Sequence, residues 1–281
     1  ATWNINSVRL REGLVARFLR EEAPDVLCLQ ECKSPVEKIP LEQFRALGYN
    51  WIVARGQKGY NGVAILSRLP LGSATDHSAV LWRDLPGALM PPLAPDAAAV
   101  QRLSSTAHWD VPVLTERGAL HLLAWSATPP VFDGPDDLNG RRNHDEAAFW
   151  LRHLPAAPFV LAGNPNLDLA DGEGRPEAMM ALLDHAQDPR PRGAFQPEQT
   201  GVNAGHRGDP ALDTGVFDPA GPGNLRVDYI LPAKTLRVTG SGVVWPAPGD
   251  PLAPAVEAAS DHRLVWVDID LESMGPGQAD E

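Results

Sequence analysis

The sequence predicts a layered fold of the α/β or α+β class, because segments with helical periodicity alternate with short apolar strands. Leu10, Leu14 and Phe18 recur every four residues and predict a helix over residues 9–22. Residues 25–30 (Asp-Val-Leu-Cys-Leu-Gln) are almost continuously apolar, which is typical of a strand buried on both faces. No internal repeat of roughly 20–50 residues is visible, so we expect no repeat architecture.

The rest of the chain continues this alternation. Further strands are predicted where short apolar runs lie between turn residues, at 51–54, 63–66, 111–114, 120–123, 159–162, 227–231, 236–245 and 264–269. Asn143 and Glu146 have the spacing of a capping box, which predicts a helix from Asn143 to about Leu154. A further helix is predicted over 175–184.

The length and composition fit one globular domain. The 281 residues are 43% hydrophobic and 21% charged, which is sufficient for a large core. We expect a single domain over residues 1–272 and a polar, disordered tail over 273–281. Because Ala1 lies inside a predicted strand, we expect further residues upstream of it.

Apolar runs are all shorter than the roughly 18 residues that span a membrane. We therefore expect no membrane insertion, and we expect a monomer. The cell compartment stays open, with the cytoplasm slightly favoured.

The net charge of −12 is unevenly distributed. Residues 1–72 contain ten Lys or Arg and seven Asp or Glu, and the remainder contains fourteen and twenty-nine. The first part therefore carries +3 and the second −15. Nucleic-acid-binding proteins usually have a basic face, and most of this chain does not offer one. A metal site built from carboxylates accounts for part of the acidic excess.

The two cysteines, Cys28 and Cys32, lie in and just after the strand predicted at 25–30. On an extended segment their Cα atoms are too far apart for a disulfide. We expect two buried thiols rather than a redox or metal pair.

Polar residues at predicted strand ends are the candidates for chemistry. Glu31 follows a buried strand and is the natural ligand for a hard cation such as Mg²⁺, which prefers one or two carboxylates and keeps several waters. Asn4 can support the same metal network through its amide. Taken alone, Glu31 is more simply explained as a solvated carboxylate; the joint presence of several such signals favours a site.

Asp261 and His262 form an Asp-His pair that can hold a metal, move protons or stabilise negative charge on phosphorus. Alone, this dipeptide is as readily a turn. Asn166 can donate to a non-bridging oxygen. Taken together, these groups are suited to hydrolysis of a phosphoester.

Three further residues have competing interpretations. Asp228 lies in an otherwise apolar strand, and a buried carboxylate is unfavourable unless it is paired. We expect Asp228 to orient the site, with Arg226 on the same strand face as its structural partner and as a candidate substrate-binding residue. His144 belongs either to the first turn of its helix or to the substrate-binding surface.

Three segments of the first 72 residues carry a family resemblance: Ala-Thr-Trp-Asn-Ile-Asn-Ser-Val-Arg at 1–9, Pro-Asp-Val-Leu-Cys-Leu-Gln-Glu at 24–31, and Gly-Gln-Lys-Gly-Tyr-Asn-Gly-Val-Ala-Ile-Leu-Ser-Arg at 56–68. With these segments, residues 1–72 closely resemble bacterial exonuclease III. The resemblance implies a DNase I-like four-layer α/β sandwich, with two mixed β-sheets flanked by helices. It also implies exonuclease and abasic-site endonuclease activity on DNA with Mg²⁺ or Mn²⁺, and it places Asn4 and Glu31 in the metal and active site.

From about residue 73 the likeness changes. The segments 79–89, 102–105, 108–113 and 139–146 resemble a different bacterial branch of the endonuclease/exonuclease/phosphatase superfamily. The apparent seam lies near 62–72, where the charge also changes sign. The sequence therefore looks chimeric, with a natural mosaic as the alternative.

Two departures from the superfamily pattern bear on activity. The superfamily usually has Gly-Asp-x-Asn after its central strand, and this chain has Asn164 in place of that Asp. An amide cannot accept the proton of an attacking water, so we expect a large loss of rate unless Asp168 or a metal-bound hydroxide compensates. Ser126 stands where related enzymes place a His or Tyr on the phosphate.

The resulting hypothesis is a divalent-metal-dependent phosphodiesterase acting on DNA or on a smaller phosphoester. The alternative is a catalytically weakened or silent member that binds a metal or a phosphorylated ligand. Our candidate residues are Asn4, Glu31 and Asp261 for the metal, Asn4, Asn164, Asn166, Asp228, Asp261 and His262 for catalysis, and Ser126, Arg226 and His144 for substrate.

Overall fold

The structure is a computed structural model that describes residues 1–218 and 220–275. Its strands, in chain order, are β1 (Thr2–Asn4), β2 (Val26–Gln30), β3 (Trp51–Arg55), β4 (Val63–Ser67), β5 (Thr75–Asp76), β6 (Ala107–Thr115), β7 (Gly118–Ser126), β8 (Phe159–Asn164), β9 (Gly215–Val216), β10 (Asn224–Leu225), β11 (Tyr229–Pro232), β12 (Arg237–Val244) and β13 (Leu264–Asp270). The α-helices are α1 (Glu12–Glu21), α2 (Leu41–Arg45), α3 (Pro95–Val100), α4 (Leu138–His153), α5 (Glu177–Leu182) and α6 (Ala253–Ala259). Short 3₁₀ helices lie at Val36–Lys38, Trp82–Asp84, Gly201–Gly205, Pro210–Leu212 and Leu271–Met274.

Two mixed sheets form the centre of the molecule. Sheet A has the strand order β12-β13-β1-β2-β4-β3, and sheet B has the order β11-β8-β7-β6-β5. Strands β1 and β2 are parallel, as are β7 and β8, and the other pairs within the two sheets are antiparallel. Strands β9 and β10 form a separate ribbon. The predicted α/β class with two mixed sheets is confirmed.

Alternate residues of the central strands face two different cores, and this arrangement creates the four layers. Leu27 and Leu29 of β2 pack in one apolar cluster with Val15 and Leu19 of α1. Cys28, between them in sequence, packs in the other cluster with residues of sheet B and α4. The strand is therefore buried on both faces, as its continuous apolar sequence predicts. Both cysteines are free and buried, also as predicted.

Helix α4 differs from its prediction. It begins at Leu138, so Asn143 and Glu146 lie inside the helix and do not cap it. Both side chains are buried: Asn143 Nδ2 donates to the carbonyls of Thr128 and Pro165 at 2.7 Å, and Glu146 accepts from the backbone N–H of Thr128 at 2.8 Å. The polar pattern that suggests a capping box instead reflects anchoring of two loops to the helix.

The end of the chain also differs from its prediction in part. Leu271–Met274 forms a 3₁₀ helix, and Ser273 Oγ accepts a hydrogen bond from the backbone N–H of Arg237 at 2.9 Å. Residues 273–275 therefore belong to the described fold. The rest of the predicted tail, 276–281, lies outside the described residues. Within the described part of the chain, no helix combines the length and apolar character needed to cross a membrane.

Residues from the two sides of the apparent seam share one core. Cys28 in β2, before the seam, and Ile65 in β4, within it, are 2% and 1% exposed. Both pack in the same cluster as Trp109 and Trp125 of sheet B. This packing predicts that the two parts unfold together. Ile65→Ala should lower the free energy of unfolding by about 2–4 kcal/mol, because it leaves a cavity between the sheets.

Denaturant unfolding followed by circular dichroism and by tryptophan fluorescence measures the loss of stability and shows whether the two parts unfold in one transition. The matched control is Val100→Ala, since Val100 is 72% exposed and its truncation should change stability by less than about 0.5 kcal/mol. Two separate transitions, or no change on truncating Ile65, would contradict a shared core.

A half-buried acidic residue, Asp213, lies between the 3₁₀ helix Pro210–Leu212 and β9. Burial, together with the carboxylates of Asp168, Asp171 and Asp209, raises the pKa of Asp213 from 3.8 to about 7. The carboxyl group is thus more easily ionised in the unfolded chain than in the folded one. As pH rises from about 4 to 7, folding stability is lost.

Asp213→Asn removes this ionisation. At pH 8 the variant should be more stable than the parent by about 1–2 kcal/mol, after discounting for solvent screening, and near pH 4 the two should be alike. Thermal unfolding across this pH range tests the sign. Greater stability of the parent at pH 8 would show that the ionised carboxylate is stabilised in the folded protein.

Candidate active site

The strand directions bring the predicted polar residues to one edge of each sheet. In sheet A, Asn4 at the end of β1 is paired in register with Gln30 at the end of β2, so Glu31 follows beside it. In sheet B, Ser126 at the end of β7 is paired with Asn164 at the end of β8. Strands β11 and β13 run antiparallel to their neighbours and therefore begin at these same edges.

Two side-chain hydrogen bonds join the edges of the two sheets. His262, just before β13, donates from Nδ1 to Asp228 Oδ2 at 2.9 Å, and Asp228 lies just before β11. Asn4 Nδ2 donates to Asn164 Oδ1 at 3.3 Å. These bonds form two pairs, and Ser260 links one pair to the other, because it binds both the His262 N–H and the Asn4 carbonyl.

Asp228 is completely buried and holds the histidine in one orientation. Its Oδ2 also accepts from Thr214 Oγ1 at 2.9 Å, while its Oδ1 has no partner among the described residues. A carboxylate can only accept these bonds, so Nδ1 of His262 carries a proton. The other ring nitrogen, Nε2, is the atom left for a ligand.

The backbone of His262 is fixed as firmly as its ring. Its carbonyl accepts from Trp3 Nε1 at 3.1 Å, and its N–H donates to Ser260 Oγ at 3.1 Å. Ser260 Oγ donates in turn to the carbonyl of Asn4 at 2.6 Å. The residue is 9% exposed, so the ring meets solvent over a small area.

The expected pairing of His262 with Asp261 is wrong. Asp261 is exposed, and it contributes its backbone carbonyl to Val216 N–H at 2.8 Å. The His262 ring instead pairs with Asp228.

The expected pairing of Arg226 with Asp228 is also wrong. Both terminal nitrogens of Arg226 bind Asp188, at 2.7 and 2.6 Å, and the guanidinium lies 4.4 Å from the centre of the Tyr229 ring. The residue is 7% exposed. Arg226 is therefore committed to internal contacts and is not available to a substrate.

His144 is not brought to the site. Its Nδ1 lies 2.9 Å from Asp145 Oδ1, and Asp145 also accepts from Trp82 Nε1 and the N–H of Leu89 at 2.6 Å each. Within the described residues His144 has no hydrogen bond to the group around Asp228. Because α4 begins at Leu138, His144 lies in its second turn and not in the first, so the capping interpretation is wrong; contact of His144 with a substrate stays a prediction.

Asn164 is an amide whose two ends are both used. It is 1% exposed, and while its Oδ1 accepts from Asn4, its Nδ2 donates to the carbonyl of Val227 at 3.0 Å. A carboxylate at this position would direct an oxygen at that carbonyl. Ser126, its register neighbour, is 3% exposed and too short to cover the edge as a His or Tyr would.

Asn166 and Asp168 stand in the loop after β8. Asn166 has a left-handed backbone (φ 55°), and its Nδ2 donates to the carbonyl of Ala127 at 2.8 Å. The amide has a second hydrogen that remains for a ligand. Asp168 accepts from the N–H groups of Ala170, Asp171 and Arg226 at 2.7, 3.1 and 2.7 Å, so it holds the loop, and its compensation for the missing base stays a prediction.

The donors suit a hard divalent cation. The Glu31 side chain is 23% exposed, and the orientation of Asn4 leaves its Oδ1 as an acceptor on the same edge. One carboxylate and one amide oxygen, with the rest of the shell supplied by water, match the way Mg²⁺ is usually held. Residues 1–218 and 220–275 contain no group of three or more His, Cys, Asp or Glu that could hold a metal.

Two residues that support the candidate site cannot be recognised from the sequence. Thr214, which donates to Asp228, lies in a loop-rich stretch without any periodic pattern. Asn143, which donates to the carbonyls of Thr128 and Pro165 near the site, has the sequence spacing of a helix cap and is wrongly predicted to be one. Partners that are distant in sequence decide both roles.

Comparison with known proteins identifies the family. Residues 1–262 match the endonuclease/exonuclease/phosphatase family. A 73-residue stretch is 37% identical to recombination repair protein 1 of Drosophila melanogaster; it covers 24% of this chain and 10% of that protein. The chain thus matches only a small part of this relative's length.

Solved structures share the fold. The 3′ phosphatase NExo from Neisseria, bound to product DNA hairpin, has a TM-score of 0.61 at 21% identity, with 96% of this chain and 98% of that one covered. An AP endonuclease from Archaeoglobus fulgidus has a TM-score of 0.60 at 18% identity, covering 96% and 98%. An endonuclease/exonuclease/phosphatase from Beutenbergia cavernae has a TM-score of 0.63 at 21% identity, covering 95% and 70%.

The family match and the DNase I-like architecture agree with the resemblance seen in the sequence. This chain belongs to the endonuclease/exonuclease/phosphatase family, whose members are nucleases and phosphatases.

Proposed function

We propose that this protein is a Mg²⁺- or Mn²⁺-dependent hydrolase of phosphoester bonds whose rate is reduced by Asn164. The observation that carries the proposal is the pair of hydrogen bonds across the sheet edges, His262 to Asp228 and Asn4 to Asn164. Together with Ser260, which binds the His262 N–H and the Asn4 carbonyl, they support a single site that contains an oriented imidazole and the amide beside Glu31.

Glu31 and Asn4 are the residues that would hold the cation. When bound, a divalent ion neutralises negative charge on the phosphate and lowers the pKa of a coordinated water. Asp261, predicted as a further ligand, is exposed, and its side chain has no hydrogen bond to Asp228 or His262 among the described residues, so it is not part of this proposal.

His262 is the group that meets the phosphate. Asp228 fixes its tautomer, so Nε2 presents either a lone pair or, in the protonated ring, a hydrogen bond to a phosphate oxygen. Asp228 is buried and also accepts a hydrogen bond from Thr214 Oγ1, so its carboxylate is held in place beside the ring. A protonated His262 would stabilise the charge that develops on the non-bridging oxygens.

Asn166 supplies a second donor to those oxygens through its remaining amide hydrogen.

In this proposal no side chain acts as the general base that removes the proton from the attacking water. Asn164 has no basic atom, and Asp168 is occupied by backbone N–H groups. The rate would then depend on the fraction of water that is already ionised at the site.

The substrate is a phosphoester in DNA or in a smaller molecule. Structural relatives include a 3′ phosphatase, a 3′-5′ exonuclease and an AP endonuclease, which favours DNA ends and abasic sites as first tests. The net charge of −15 on residues 73–281 favours a small phosphoester instead. The alternative function is binding of a metal or phosphorylated ligand without turnover, and Asn164 and Ser126 motivate it.

Removing the imidazole tests the proposed reaction. With Mg²⁺ or Mn²⁺, the parent should hydrolyse at least one of 3′-phosphorylated DNA, abasic duplex, plasmid or bis-p-nitrophenyl phosphate. His262→Asn should lower kcat about 100-fold or more, because it removes the charged donor to the phosphate.

His121→Asn is the matched control, since His121 lies near the opposite end of β7 and its hydrogen bond to Asp110 can be retained by the amide. Its kcat should stay within about threefold of the parent. A folded parent that turns over none of these substrates, with or without metal, would overturn the hydrolase proposal in favour of a binding protein.

Asn164→Asp tests the reduction in rate. A carboxylate can accept the proton of water, so kcat should rise about 100-fold or more. Stability should fall, because an oxygen replaces the amide nitrogen that faces the Val227 carbonyl in a buried site. Steady-state kinetics measures the expected rise in kcat, and thermal unfolding measures the expected fall in stability.

Asn164→Ala should show the loss of stability without the gain in rate. Activity found only in the Asp variant would support the silent alternative. A parent already as fast as the Asp variant would contradict any impairment.

A further inference from the structure

A lysine lies beside the carboxylate proposed to hold the cation. Lys33 Nζ is 3.6 Å from Glu31 Oε2 and donates to Asn6 Oδ1 at 2.7 Å. The Lys33 side chain is 32% exposed and that of Glu31 is 23% exposed, so the pair sits at the protein surface with restricted access to water. The ammonium therefore lies within the electrostatic reach of any ion bound by Glu31.

The backbone around this pair is held in an uncommon conformation. Glu31, Lys33 and Asn6 all have left-handed φ values, of 51°, 48° and 49°. Hydrogen bonds fix these segments, from Ser7 N–H to the Glu31 carbonyl and from Lys33 N–H to the Asn61 carbonyl, both at 2.8 Å. Non-glycine residues in this region are strained, and such strain is often found where a side chain must occupy a functional position.

The charges of the pair cancel. Glu31 contributes −1, Lys33 contributes +1, and Asn4 and Asn6 are neutral. Affinity of a protein site for a hard cation depends strongly on the number of charged ligands. A site with one carboxylate already paired to an ammonium should bind a free divalent ion weakly.

We propose that Lys33 lowers the affinity of the ligand-free protein for the divalent cation and moves to the phosphate when a phosphorylated ligand binds. This proposal rests on the proposed function, since it takes Glu31 as the metal ligand. With Lys33 on the phosphate, Glu31 is released for the cation. Metal and phosphorylated ligand then strengthen each other's binding by the same factor.

Calorimetric titration of the whole chain with Mn²⁺, alone and with thymidine monophosphate, tests this. Lys33→Met should bind Mn²⁺ alone about tenfold more tightly than the parent, because one repelling charge near the ion is gone. Thymidine monophosphate should raise the Mn²⁺ affinity of the parent several-fold, and that of Lys33→Met by a smaller factor.

Three variants serve as controls. Lys38→Met removes the same charge from an exposed residue in the neighbouring 3₁₀ helix Val36–Lys38 and should leave Mn²⁺ affinity unchanged. Lys33→Arg keeps the charge and should resemble the parent. Glu31→Gln should weaken Mn²⁺ binding, and thermal unfolding verifies that each variant is folded.

Equal or weaker Mn²⁺ binding by Lys33→Met, or an equal gain from the monophosphate in both proteins, would overturn the role of Lys33. So would the absence of Mn²⁺ binding to both parent and variant. If the predicted binding pattern appears but no phosphoester is hydrolysed, the role of Lys33 stands and only the hydrolase proposal fails.

Discussion

The hydrogen bond from His262 to Asp228 connects the two sheets at the point where both would otherwise end in solvent. Asp228 is fully buried, and a buried carboxylate without partners would favour its neutral form or unfolding. Thr214 and His262 supply partners for its Oδ2, so the chain must bring three segments together around one carboxylate. The constraint that stabilises this edge of the fold therefore also orients the imidazole.

The amide bridge from Asn4 to Asn164 couples the same sheets with neutral groups. In this environment an amide at position 164 is the better structural residue, because it both accepts from Asn4 and donates to Val227. A carboxylate there would provide a base at the expense of one hydrogen bond. Stability and catalysis thus make opposite demands on one buried position.

Much of the fold could be predicted from the sequence, because its strands are short, apolar and buried on two faces, as residues 25–30 illustrate. The position of Asn4 and Glu31 at adjacent strand ends follows from the same pattern. The partners of Asp228 and Arg226 could not be predicted, since neighbours in sequence compete with residues that only folding brings near. Asp188 and His262 are the observed partners because folding brings each within hydrogen-bonding distance of a buried charged side chain. The capping role predicted for Glu146 is wrong for a related reason: two buried polar residues inside a helix can have the same three-residue spacing as a capping box.

The central claim is that Asn4, Glu31, Asp228 and His262 form one site for a cation and a phosphate. A crystal structure of the protein with Mn²⁺ and thymidine monophosphate, with anomalous diffraction to locate the metal, tests it most directly. The claim predicts an anomalous peak at the Glu31 carboxylate and Asn4 Oδ1, with the phosphate within hydrogen-bonding distance of His262 Nε2. Mn²⁺ bound elsewhere, or a phosphate remote from His262, would contradict it.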